Sequence, residues 1–164
     1  MPAPSPAISN FNRPFDALLQ LQDDAAAITS SGSGTVGGSA VIRDLGDGVV
    51  FGDMVIDINS IDVSSTDESY IVQLQGSNSA TFANTIVILV MQYFGAVTPG
   101  TPAIWGAAGD KESAASAITN TKRFQVPFWN VKYGLAFRYV RARFVLGGTT
   151  PSLDAEVYLS LARN

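Results

Sequence analysis

Apolar and polar positions alternate singly near the end of the chain. Val140, Ala142, Phe144 and Leu146 fall on one side of an extended backbone, and Tyr139, Arg141 and Arg143 on the other. That period of two is the signature of a half-buried β-strand. Comparable runs rich in β-branched and aromatic residues occur at 18–22, 39–44, 54–59, 70–76, 86–94, 123–128, 137–146 and 155–161, separated by Gly, Pro, Ser, Asn and Asp. The pattern predicts about eight strands joined by turns. The run IVILVMQYF at 86–94 barely alternates, which predicts a central strand covered on both faces.

Helix signals are few. Asp16 stands where an N-cap would, but Leu19 and Leu21 alternate with glutamines, so a strand is the better reading there. Residues 110–118 fit a short helix and a loop equally well. Few strand formers occur between Phe94 and Lys122, which predicts a long loop at about 95–121; loops of that length are commonly functional or partner-bound. Pro2, Pro4, Pro6 and Pro14 punctuate small residues at the start and predict an extended arm over 1–15, with Phe11 and Phe15 as its anchors. The expected architecture is all-β. It is an antiparallel β-sandwich of jelly-roll type, one domain over 16–164, with the N-terminal arm attached.

Composition removes several chemistries. The 164 residues include no cysteine and no histidine, so disulfides, thiolate metal sites and the usual general base of nucleophilic catalysis are absent. The opening residues lack the basic and apolar regions of a secretory leader. The longest apolar run is far below the roughly 20 residues that span a bilayer. A soluble protein without membrane partners is expected. Charge divides the chain: residues 1–70 carry a net −8 and residues 71–164 a net +4. Nucleic-acid binders normally show an overall basic excess, so no nucleic-acid partner is expected. Contacts between copies of the chain suit the asymmetry.

The candidate chemistry is thin. Gly32, Gly34 and Gly37 have the spacing of a dinucleotide-binding loop, but the strand-like SAVIRD follows where a helix should begin. A strand-to-strand loop explains them better. Asp23 with Asp24, Asp44 with Asp47, and Asp53, Asp57 and Asn59 form carboxylate clusters without EF-hand spacing; solvated turns account for them, and no metal or cofactor is expected. Trp105, Trp129 and Tyr133 lie in or beside predicted loops, where they could pack, dock or stack on sugar rings. Arg138, Arg141 and Arg143 crowd one strand, and repel one another unless acids or a partner answer them.

Five stretches carry a resemblance: LLQLQDDAAA early in the chain, VIRDLGDG, YIVQLQGSNSATF with Gln75 to Asn78 at the strand end, the strand Arg138 to Arg141, and the turn Gly147–Gly148 before a terminal strand. In this order they resemble the small capsid cement, or decoration, proteins of tailed bacteriophages. The resemblance implies a non-enzymatic jelly-roll protein without cofactor, assembling commonly as a homotrimer on the outer surface of the virion and clamping neighbouring major capsid subunits. The contact residues expected on that reading are Phe11, Phe15, Trp105, Trp129, Tyr139, Arg141 and Arg143. A carbohydrate- or receptor-binding module of a virion or secreted protein is the alternative, and a hydrolase with paired acids is a third class.

Overall fold

The computed structural model describes residues 17–65, 67–95 and 122–162. The expected arm with Phe11 and Phe15, nearly all of the expected long loop, Trp105 and the pattern at 110–118 lie outside the described residues. A 3-10 turn, Ala17–Leu19, leads into thirteen strands. These are β1 (Gln20–Gln22), β2 (Gly32–Ser33), β3 (Thr35–Val36), β4 (Ser39–Ala40), β5 (Arg43–Asp44), β6 (Phe51–Ile61) and β7 (Ser69–Ser77). They continue with β8 (Val87–Gly95), β9 (Lys122–Trp129), β10 (Val131–Lys132), β11 (Leu135–Ala136), β12 (Tyr139–Gly147) and β13 (Leu153–Leu161). No helix among the described residues is long and apolar enough to cross a membrane.

Two antiparallel sheets pack face to face. One runs β1-β13-β6-β9; the other runs β2-β12-β7-β8, with β5 also pairing β12. Five of the pairings nest like brackets along the chain: β1 with β13, β2 and β5 each with β12, β6 with β9, and β7 with β8. The ladders β13–β6 and β12–β7 join these pairs into sheets. The chain is therefore an all-β sandwich, as its alternation predicts.

The core is the set of inward positions. Met54, Ile56 and Ile58 of β6, with Leu153, Ala155, Val157 and Leu159 of β13, face Tyr70, Val72 and Leu74 of β7 and Val140, Ala142 and Phe144 of β12. Each fully buried large side chain contributes about 1.5–3 kcal/mol relative to an exposed one. At the open side, Phe94 of β8 meets Phe124 of β9 edge-on, with ring centroids 4.9 Å apart. Gly34 makes the opposite, small-residue contribution: a Cβ there would stand 2.2 Å from the carbonyl oxygen of Leu21. Only glycine lets the chain cross between β1 and β12.

Three expectations change. Residues 18–22 split into the 3-10 turn and the short β1. Residues 39–44 are two strands, because β4 closes a hairpin on β3 whereas β5 has moved to β12. The run at 86–94 is an edge strand among the described residues. Gln92, Tyr93 and Phe94 are buried in succession, as cover on both faces requires, and a bulge also interrupts the alternation. A register shift between Leu74 and Gln75 pairs them with Val90 and Ile88, so Leu89 is an extra residue. Such a bulge reverses the in-out phase halfway along the strand. The other edge strand, β9, carries Pro127 opposite Asp53, in the kind of strand that tolerates a missing N–H.

Buried polar groups close both ends. At one end the Tyr70 hydroxyl donates to the Asp62 carbonyl at 2.5 Å and accepts the Ser152 N–H at 3.0 Å. At the other, Asn130 is fully buried. Its Oδ1 accepts the Val50 N–H at 2.7 Å, and its Nδ2 donates to the carbonyls of Gly48 at 2.9 Å and Phe137 at 3.1 Å. Its own N–H donates to Val50 and its carbonyl accepts from Phe137. Asn130→Ala would remove three side-chain bonds, and the Phe137 carbonyl, the buried partner among them, would alone cost about 1–3 kcal/mol when left unpaired. Thermal melting should fall by roughly 10 °C for a domain of this size, whereas Trp129→Ala next to it, at an exposed site, should shift it little.

Candidate functional site

The crowded arginines of β12 occupy three different environments. Arg138, just before the strand, is paired to Asp44 by two bonds of 2.8 and 2.7 Å and to Asp47 at 3.1 Å. Its guanidinium also lies 5.3 Å from the centroid of the half-buried Tyr139 ring. The Asp44 contact holds Arg138 above the ordinary arginine range and draws Asp44 below the usual carboxylate range. Arg141, opposite Gln75 in the β7 ladder, donates from Nε to Gln75 Oε1 at 3.0 Å and covers the Phe82 ring at 4.3 Å. Burial, then the neighbouring charge of Arg143, presses Arg141 below its ordinary range. Arg143 has no hydrogen-bonding or ionic partner among the described residues, and Val145 beside it on the outward face is exposed. The acids that answer Arg138 come from its own chain, and Arg143 alone of the three is left for an outside partner.

Arg141 acts through a loop. Residues 78–86 join β7 to β8, and Phe82 within them has a left-handed backbone with φ of 55°. Its ring is buried beneath Arg141, and Ser79 organises the turn by accepting from the N–H groups of Thr81 and Ala83 through Oγ. No spacing rule announces Phe82: it follows a polar tract that reads as an ordinary turn. Asn130 is likewise invisible in the sequence, because its role depends on three segments meeting.

The opposite feature is an apolar end. Trp129 is 66% exposed and stands opposite Phe51, 43% exposed, across the β6–β9 ladder; Val49 is exposed beside them. After Asn130 the chain makes the β10–β11 hairpin, whose turn residues Tyr133 and Gly134 both have positive φ, 54° and 77°. This is the two-residue hairpin turn that matches strand twist. Tyr133 is 84% exposed at the tip and Leu135 is exposed behind it. Lys132 fastens the hairpin by donating to the Ile88 carbonyl at 2.5 Å, with its ammonium 5.7 Å from the Tyr133 ring centroid.

The acids are largely engaged. Asp23, Asp44, Asp62 and Asp67 accept turn N–H groups from Gly37, Gly46, Ser64 and Thr149. Asp57 and Glu156 face each other across the β6–β13 ladder, but both oxygens of Asp57 are bound by Arg123 at 2.7 Å, and Glu156 accepts from Gln20 at 2.7 Å. That pair offers no free nucleophile. Burial, then Asp24 and Asp57, raises Glu156 above its ordinary range. Gly32, Gly34 and Gly37 lie in and beside the β3–β4 hairpin and open no helix. Among the described residues no group of three or more acids is arranged to hold a metal ion. No protein-family model, curated protein or solved structure matches the chain.

Two outcomes follow from these contacts. Asp44, Asp62 and Asp67 are each held below the usual range by hydrogen bonds to the ionised carboxylate, from Arg138, Ser64 and Thr149 respectively. Depressed folded values mean stability that is complete above the unfolded value near about 4 and lost as pH falls through the folded one. Glu156 works in the opposite sense. Melting temperature should drop below about pH 4, and Asp67→Asn should shallow that acid limb. Separately, Arg141→Ala should cost about 1–2 kcal/mol through the loss of its ring and amide contacts, while Arg143→Ala should stay within about 0.5 kcal/mol; denaturant unfolding of the two variants checks the difference.

Proposed function

We propose that the protein is a capsid cement, or decoration, protein that binds the outer surface of an icosahedral phage head and stabilises contacts between major capsid subunits. On this reading its sandwich is of the jelly-roll type. The nested strand pairing supports that assignment, since rolling up one long antiparallel hairpin produces such an order. The stretches behind the resemblance lie at strand ends and turns: Gln75–Asn78 at the end of β7, Arg138–Arg141 entering β12, and Gly147–Gly148 at the turn into β13.

One observation carries the reading. Phe51 and Trp129 are exposed as a cross-strand pair directly beside the buried Asn130. Aromatic side chains held on rigid backbone are the usual anchors of protein interfaces, because little conformational freedom remains to be lost on docking. Arg143 adds a charge free for an acidic partner. The function is mechanical: each bound copy adds interface that internal pressure must break before subunits separate.

The test adds the purified chain to heads assembled without it. Saturable binding and a higher temperature of DNA release are expected. Trp129→Ala should weaken binding by about 2 kcal/mol, the level of an interface anchor, and Arg143→Glu should weaken it further at low salt than at high salt. Neither substitution should move the melting temperature of the isolated chain appreciably. Heads that neither bind the chain nor gain heat resistance would sink the reading.

A further inference from the structure

Between the 78–86 loop and the β10–β11 hairpin lies a cavity of about 190 Å³, lined by Asn78, Asn84, Thr85, Leu135 and Phe137. Both walls are fixed before any ligand arrives. The loop wall is clamped by Arg141 over Phe82, and the hairpin wall by Lys132 on the Ile88 carbonyl and by Asn130 at its base. Asn78 is committed to the protein, donating to the Ala136 carbonyl at 3.1 Å and accepting the Arg138 N–H at 3.0 Å. Asn84 and Thr85 are different: both are exposed, and neither side chain has a hydrogen-bonding partner among the described residues.

We propose that this cavity is a binding site for a neutral saccharide unit. None of its lining residues is charged, which disfavours phosphate, carboxylate and nucleic-acid ligands, whose recognition rests on cations. The Asn84 amide both donates and accepts, and the Thr85 hydroxyl does the same, which suits the paired donor and acceptor character of sugar hydroxyls. Leu135 and Phe137 supply an apolar floor for the C–H face of a pyranose ring. Small polar sets over an apolar floor in a preformed concavity are the general form of a small-ligand site. The cavity shares no lining residue with Phe51, Trp129 or Arg143, so its ligand can be tested separately from the attachment reading: a decoration protein could hold its particle with one set of residues and a surface glycan with another.

The full chain is applied to an array of neutral and acidic glycans, and retained glycans are then titrated by saturation-transfer NMR. Retention of neutral glycans is expected, with Asn84→Ala and Thr85→Val each weakening the dissociation constant by about tenfold, the loss of one hydrogen bond. Both positions are exposed, so unchanged melting of each variant accompanies the result. Failure to retain any neutral glycan, retention of acidic glycans only, or retention undiminished in both variants would overturn the proposal. Trp129→Ala should leave glycan binding intact, and its loss in that variant would also count against this site.

Discussion

Five hydrogen bonds converge on one buried asparagine, and the display end of the sandwich is built around them. Asn130 joins the segment entering β6, the end of β9 and Phe137, the residue after β11. In a dry interior an amide of this kind is worth most when every donor and acceptor is matched, because any group left over carries its full desolvation cost. The consequence is rigidity where it is least expected. Trp129 and the β10–β11 hairpin are surface features, yet their backbone is referenced to a fully buried side chain.

The charge division of the sequence takes on a different meaning in the folded chain. Acids from the first part meet bases from the last part inside a single molecule: Asp44 and Asp47 with Arg138, and Asp57 with Arg123. Nested strand pairing makes this unavoidable, since it lays early strands beside late ones. Much of the asymmetry that suggests contact between copies is thereby used within one copy. Electrostatic crowding on β12 is eased by giving two of the arginines separate answers, a carboxylate pair for Arg138 and an aromatic face for Arg141, while the half-buried Arg143 has none among the described residues.

The fold was legible because the core obeys a short-range rule. Val140, Ala142 and Phe144 are buried while Arg141 and Arg143 face out, as alternation requires. Where reading failed, the cause was long-range. The unalternating run at 86–94 is buried on both faces at Gln92–Phe94, but it lies at an edge and contains a bulge, and a bulge depends on the partner strand as much as on its own residues. The site was less legible. Trp129 could be singled out as an aromatic beside a loop, but its exposure depends on how β9 ends. Phe82 and Asn130 gave no signal, because one needs a left-handed backbone and the other needs three distant segments to meet. Tyr139 and Arg141, expected as contacts for a partner, are largely occupied by Arg138 and by Phe82 with Gln75.

Pro127 in the edge strand β9 has a consequence for crowding. A free strand edge is a template on which another copy can add its own strand, and repeated addition gives fibres without limit. Proline removes a donor from that template, and the bulge at Leu89 kinks the edge of the facing sheet. At these two edges, crowded copies would therefore find a poor template for zipping together through backbone.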